Sequence, residues 1–387
     1  MPVRLLTFVA GVAFAWGVAS PVLGAQSQDH SPVQTTSSHP DSSGEVGPWS
    51  RLTVHGDSRF RVENNFHLEE GSRRNRLVFR VRLGAEYTIN PHVSGGLRLA
   101  TGSPDDPNST DVTLGNFNDD FGGSLDRAFL RYATETVSLT GGKFENPFLS
   151  TDLVWDGDVN PQGAAGTATF PSIGGMTPNV SGLFFLIDER SDVANSWMGG
   201  GQLLLRSAWS GPVRGTAALG YYDYEIRGLG AAGPGDTRSN QLTPSETAYR
   251  SDFDLVDVLA RVAYDGWGPR WPLQGILNYV HNAGAFDDEN DGLRVAMQAG
   301  RESERGDIQL RYAYTRAETD AVLAAFSNDN TTLPTNYRQH TVAVDYVVLP
   351  ATVLNLTWYL YRLLRTDANG IDEGPRSRLR LNLSVFF

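Results

Sequence analysis

Cysteine is absent from all 387 residues. That excludes disulfides and a lipid anchor on an N-terminal cysteine, and it fits an oxidising compartment. Long apolar runs are lacking too. After the first two dozen residues, no uninterrupted stretch reaches the about 18 residues that a spanning helix needs. The nearest candidate, Tyr346 to Tyr361, is broken by Pro350 and Asn355 and crowded with β-branched and aromatic side chains. It reads as two strands around a turn at Leu349-Pro350. With helical spans excluded, a closed barrel is the one remaining way through a bilayer, because every backbone polar group must be paired there. An excess of basic charge is missing as well. The formal net charge is −12, which argues against a nucleic-acid partner. Catalytic signatures do not appear: there is no G-x-S-x-G, no H-E-x-x-H and no phosphate-cradling glycine loop.

What is present begins with a leader. Arg4 supplies a positive start, an apolar stretch runs from Leu5 to Val18, and small residues follow at Gly24 and Ala25. This is the pattern of a secretory signal peptide over residues 1–25. Residues 26–48 are rich in Ser, Thr, Pro, Asp and Gly and read as a flexible mature N-terminus. Residues 49–387 form the remaining unit.

From Trp49 onward the period is two. Leu77, Phe79, Val81, Leu83, Ala85 and Tyr87 alternate with Arg76, Val78, Arg80, Arg82, Gly84 and Glu86. Such alternation gives a strand one apolar and one polar face. Connections switch between short, as at Asn90-Pro91, Thr134–Thr136 and Leu349-Pro350, and long, as at Thr101–Gly123, Gly228–Arg250, Asn282–Asp291 and Glu318–Asn336. The spacing predicts an all-β, transmembrane, antiparallel up-and-down β-barrel of about 16 strands, with short periplasmic turns and long external loops. Tryptophans and tyrosines cluster near strand ends, as interfacial girdles require. The chain ends on an alternating strand, Leu379, Leu381, Leu383, Val385 and Phe387, whose terminal aromatic resembles an outer-membrane assembly signal.

The polar faces carry Arg59, Arg61, Arg80, Arg82, Arg98, Arg127 and Arg131. An apolar core could not hold so many unpaired guanidiniums. A water-filled lumen could, so these residues are expected to line a pore, with opposing acids supplied by loops. Asp119 and Asp120, or Asp152, Asp156 and Asp158, are the candidates for a constriction loop that folds into the mouth, since fixed charges at a narrow point are how pores select ions. The density of arginine favours anions. The stretch Asp287 to Gly292 is rich in oxygen ligands, but its spacing fails the calcium-loop pattern. Neither a metal nor a cofactor is expected.

Three stretches, LRLATGSPDDPNSTDVTLGN (97–116), LDRAFLRYATETVSLTGGKFENPF (125–148) and STDLVWDGDVNPQG (150–163), resemble the bacterial "putative porin" family of outer-membrane proteins. The resemblance spans Arg76 to Gly163. It implies a β-barrel channel in the outer membrane, in contact with outer-membrane lipid, passing small hydrophilic solutes or ions, with a homotrimer as one assembly. It brings no catalytic residue. Three other readings stay open. A substrate-selective channel could use Tyr221, Tyr222, Tyr224, Tyr359 and Tyr361. An outer-membrane hydrolase would need His67 or His281, the two histidines in expected external loops. A soluble secreted β-protein would show the same alternation.

Overall fold

The computed structural model describes residues 48–387 except 67–72, 105, 107, 116–119, 192–193, 208–210, 231, 233–236 and 366–373. The expected leader, residues 1–25, and residues 26–47 of the segment read as a flexible N-terminus lie outside the described residues. The strands, in chain order, are β1 Leu52–Phe66, β2 Arg74–Asn90, β3 Val93–Thr101, β4 Val112–Thr113, β5 Gly123–Ala133, β6 Val137–Lys143, β7 Gln162–Thr169, β8 Met176–Asp188 and β9 Ser196–Ser207. They continue with β10 Val213–Glu225, β11 Phe253–Tyr264, β12 Leu273–Asn282, β13 Asp291–Gly300, β14 Ile308–Ala317, β15 Tyr337–Leu349, β16 Thr352–Leu363 and β17 Arg376–Phe386.

Neighbours in sequence pair antiparallel, and β1 pairs with β17 from Asp57↔Phe386 to Phe66↔Ser377, which closes the sheet. The two-residue β4 is not a wall strand. It adds onto β2 at Val78 and Phe79, beyond the end of the β2–β3 ladder, which stops at Arg82 and Ala100. Sixteen strands therefore make the wall, the number expected from the alternation. Closure leaves no unpaired edge.

Period two decides which side chain faces where. Along β15, Tyr337, Gln339, Thr341, Ala343, Asp345 and Val347 point inward and are buried, while Arg338, His340, Val342, Val344 and Tyr346 are exposed on the outer face. The outer surface is consequently a belt of exposed Leu, Val and Phe: Leu77, Leu97, Leu125, Leu219, Leu277 and Leu354 all lie on it. Exposed Trp49, Tyr87, Trp267, Trp271, Tyr346 and Phe387 edge the short-turn end, and Tyr221, Tyr279 and Trp358 lie toward the long-loop end. Trp209 lies outside the described residues. Among the described residues no helix is long and apolar enough to cross a membrane.

The interior is not empty. Phe144 to Pro161, between β6 and β7, turns into the barrel from the long-loop end. Gly142, with φ of 118°, begins the bend. A Cβ there would collide with the Ala128 carbonyl, so only glycine fits. Gln202 clamps the loop by accepting from Leu149 N and donating to Leu149 O, both at 2.8 Å. A second segment, Glu318 to Asn336 between β14 and β15, also folds inward, and Asp156 N donates to Phe326 O at 2.8 Å to join the two. Their apolar side chains (Phe148, Leu153, Trp155, Val322, Leu323 and Phe326 among them) pack with the inward residues Phe185, Met198, Tyr222, Tyr224, Phe253 and Tyr337 of the wall. Phe326 is the hub, with ring centres 6.0 Å from Trp155, 5.3 Å from Phe185 and 6.3 Å from Tyr224. The hydrophobic core thus sits inside the barrel against β8 to β12 and the long-loop ends of β14 to β16, and polar space remains against β1 to β3, β5, β17 and the middle of β16.

Candidate functional site

That polar space holds a cavity of about 70 Å³. On one side stand wall residues of β1, β2 and β17, with β14 and β16 beside them. On the other stand Asp152, Asp156 and Asp158 of the first infolded loop, Asp329 and Asn330 of the second, and Asp111 just before β4.

The wall arginines form a ladder because period two puts every second residue of a strand on the same face. The cross-strand register then sets Arg59 against Arg80 and Asp57 against Arg82. Arg59 and Arg61 each reach Asp111 at 2.6 Å, and Arg61 Nε also donates to Asn382 Oδ1 at 2.6 Å. Arg80 and Arg82 share Asp57 at 2.8 and 2.7 Å, and Arg82 reaches across to Asp158 at 3.1 Å. Arg98 pairs with Asp126 at 2.5 Å. Arg127 Nε donates to Asn160 Oδ1 at 2.7 Å, and its Nη1 pairs with Glu145 at 2.9 Å. Arg131 is half-exposed, 3.7 Å from Glu86. All seven arginines singled out from the sequence point inward, and Arg59, Arg61 and Arg80 border the cavity.

Two expectations change. The guanidiniums are not unpaired in open water, and their partners do not all come from loops. Asp57, Glu63 and Asp126 stand on the wall itself. Glu63 is fully buried between Arg76 and Arg380, each 2.8 Å away, with Arg378 at 3.6 Å. Arg378 and Arg380, on the last strand, belong to this constellation although the sequence reading passed over them. Arg380 also faces the ring of Tyr359 at 5.3 Å. Their signal was available, since Arg376, Arg378 and Arg380 alternate with the apolar residues of the terminal strand.

Of the constriction-loop candidates, Asp152, Asp156 and Asp158 meet at the cavity. Asp152 accepts from Asn330 Nδ2 at 3.3 Å. Asp156 is buried, and its carboxyl is pushed up by that burial and by the neighbouring charges of Asp329, Asp158 and Asp152. Asp119 lies outside the described residues. Asp120 is exposed and takes no place at the cavity. The loop after β3 contributes Asp111 instead. Burial opposes its ionisation, but Arg59, Arg61 and Arg80 outweigh that and hold it well below the usual carboxylate range.

The tyrosines divide. Tyr221 is on the outer face, Tyr222 and Tyr224 are buried in the apolar core, and Tyr359 borders the cavity. His67 lies outside the described residues. His281 is not in a loop but on β12, pointing outward beside Asp291 at 2.9 Å. No cluster of three metal-ligating side chains occurs among the described residues.

A family model described as "putative porin" matches residues 58–255. This chain belongs to that family. The porin barrel recurs in solved structures that cover 87% of the chain. The anion-selective porin from Comamonas acidovorans is 13% identical over 99% of its own length, with a TM-score of 0.53. OprB of Pseudomonas putida is 12% identical over 94%, with a TM-score of 0.56. OmpF of Salmonella typhi, solved with daunomycin, is 11% identical over 97%, with a TM-score of 0.53. Identities this low speak for the fold alone. No curated protein matches the chain in sequence. The protein is a porin, a closed β-barrel channel.

Proposed function

We propose that this porin resides in the outer membrane as a narrow diffusion channel for small hydrophilic solutes and ions, with a preference for anions. The observation that carries the reading is the arginine wall of β1, β2 and β17 facing the aspartates of the infolded segments across one polar cavity. Five arginines (Arg59, Arg61, Arg80, Arg311 and Arg380) and five aspartates line it. Burial favours the neutral form of Asp156, which tips the fixed charge to positive. Attraction by the net negative chain is screened over about 8 Å at physiological salt, so the local balance decides. The long loops then face outward and the short turns face the periplasm.

Residues 1–25 act in this reading as a cleaved leader, and 26–48 as a linker to the barrel. The lipid-facing belt meets outer-membrane lipid, and a homotrimer is the assembly that would bury part of it. No side chain is assigned a catalytic role. Stepwise conductance in planar bilayers tests the proposal, and well-folded protein that leaves bilayers silent overturns it. A reversal potential in a KCl gradient gives the sign of selectivity.

A second reading, a substrate-selective channel, draws on Tyr359, whose ring lies under Arg380 at the cavity wall. Saturable block of the current by one class of solute would favour it.

A further inference from the structure

The seven lumen arginines of β1, β2, β3 and β5 all stand in ion pairs. Two arginines on the opposite wall do not. Arg206 of β9 and Arg261 of β11 face inward, in step with the buried Leu204 and Leu259 of the same strands. Among the described residues neither takes part in an ion pair or a side-chain hydrogen bond, and Arg261 Nε is buried without a partner. Their acidic neighbours are engaged elsewhere. Asp257, the lumen carboxylate of β11, accepts from Asn278 Nδ2, and Leu259 stands between it and Arg261. Asp265, in the turn after β11, pairs with Arg214. The sequence from Ser207 to Pro212, which joins β9 to β10, contains no acid.

Cross-strand register sets both arginines beside one residue. Thr216 of β10 pairs with Arg206 on one side and with Arg261 on the other. The two arginine Cα atoms are therefore about 10 Å apart, twice the strand spacing, and two long side chains can converge on one small ion between them. Thr216 points inward as well, in step with the buried Ala218. Its hydroxyl makes no hydrogen bond to a described residue. Toward the middle of the barrel the next inward residues are Leu204, Ala218 and Leu259, which pack with Leu149 of the first infolded segment. Arg206, Thr216 and Arg261 thus stand below the filled half, at the short-turn end. Two cations with no acid between them, one with a buried N–H unpaired, form an arrangement that an anion stabilises.

We propose that Arg206, Arg261 and Thr216 form a second anion site in the lumen, for phosphate or the phosphate group of a small solute. Guanidiniums bind a tetrahedral oxyanion through forked, charge-assisted hydrogen bonds, and a hydroxyl adds one more donor. A conducting pore needs such a site to hold the ion well enough to draw it in and weakly enough to release it. Its part in transport rests on the anion-channel reading above, and the binding itself does not.

Binding of inorganic phosphate to the full barrel in neutral detergent is followed by titration calorimetry, with acetate and chloride as comparison anions. Phosphate binds saturably and tightest of the three. The double variant R206Q/R261Q weakens it at least tenfold, and T216V weakens it less. R261K, which keeps the charge but not the fork, loses part of the binding, and R338Q, on the outer face, keeps all of it. If the double variant does not fold, R206Q and R261Q singly each give a partial loss. Equal phosphate affinity in wild type and in the arginine variants overturns the site. Chloride binding as tight as phosphate also overturns it, since that marks charge without forked recognition. Bilayer conductance of the same preparation separates the two readings. Silent bilayers with phosphate binding intact sink the channel and leave the site, whereas conduction with no phosphate binding sinks the site and leaves the channel.

Discussion

The two halves of the lumen are built on opposite principles. Against β1, β2 and β17 the inward side chains are mainly arginines, acids and asparagines held in ion pairs and hydrogen bonds. Against β8 to β12 they are Phe185, Met198, Tyr222, Phe253 and Leu255, buried under the apolar faces of two infolded segments. The first half leaves room and charge. The second is a protein core that happens to lie inside a barrel, close-packed as interiors are. The comparison teaches that the pore is defined as much by what fills one side as by what lines the other.

The largest effect should come from breaking the filled half. Phe326→Ala removes the ring that touches Trp155, Phe185 and Tyr224. A buried aromatic lost to alanine costs about 3–5 kcal/mol. Here that cost falls on the packing of the segments rather than on the wall. Single-channel conductance should rise and become noisy while the strand content, followed by circular dichroism, stays intact. An unchanged, quiet current would show that the two segments do not occlude the lumen.

The lined half should respond next. Glu63→Gln leaves Arg76, Arg378 and Arg380 facing a neutral group in a site with no exposure. Stripping one partner from a buried charge cluster costs about 3–5 kcal/mol, and water in the lumen should hold the loss to the lower end. Urea unfolding of the detergent-solubilised barrel measures it, and a midpoint equal to wild type would mean that the cluster is hydrated.

A smaller change follows at the cavity. Arg59→Gln with Arg61→Gln removes both direct ion pairs to Asp111 and leaves it the more distant charge of Arg80. The anion-to-cation permeability ratio should fall on the order of a few-fold, because fixed charge at the narrow point sets selectivity. A reversal potential that does not move would place the narrow point elsewhere.

Much of this was legible in residue order. Leu77 to Tyr87 alternates so regularly that β2, its lumen face and its arginines follow at once. The boundaries of β15 and β17 are set the same way by Tyr337 to Leu349 and by the terminal leucines. The inward course of Asp152 to Asp158 was also foreseeable, because a Gly- and Asp-rich stretch between prolines makes a poor strand. The second infolded segment was not foreseen. Its length and its flanking Asp, Asn and Thr residues suggest an ordinary external loop, yet Val322 to Phe326 forms an apolar island with no use in water. The matching signal lay elsewhere: β11 carries apolar residues on both faces, with Phe253, Leu255 and Leu259 inward beside Asp257 and with Val256, Val258 and Val262 outward. Apolar residues on the lumen side of a porin strand need something apolar inside the barrel to cover them. The acid partners were missed for another reason. Asp57 lies on the same face as Arg59 and Arg61, but only the register between β1 and β2 sets it against Arg82, and register is not written in one strand.

The smallest effect joins the two halves through Asp156. Its backbone N–H is tied to Phe326 in the filled half, while its carboxyl borders the cavity of the lined half. Burial, followed by the charges of Asp329, Asp158 and Asp152, raises its pKa well above the ordinary carboxylate value. The folded state therefore holds this proton more tightly than the unfolded chain does. The resulting stabilisation is complete below the unfolded pKa, near 4, and is lost as pH rises through the elevated folded value. Ionisation also adds one negative charge opposite Arg59, Arg61 and Arg80. Raising the pH across that window should lower the anion preference and loosen the infolded segments together. Asp156→Asn fixes the neutral form, so it should keep the low-pH selectivity throughout and flatten the pH profile of the reversal potential. Arg61→Gln, by contrast, should shift the whole profile toward cations without flattening it. If the Asn variant titrates like wild type over the same range, another group sets the pH dependence and the acidic side of the cavity does not act through this residue.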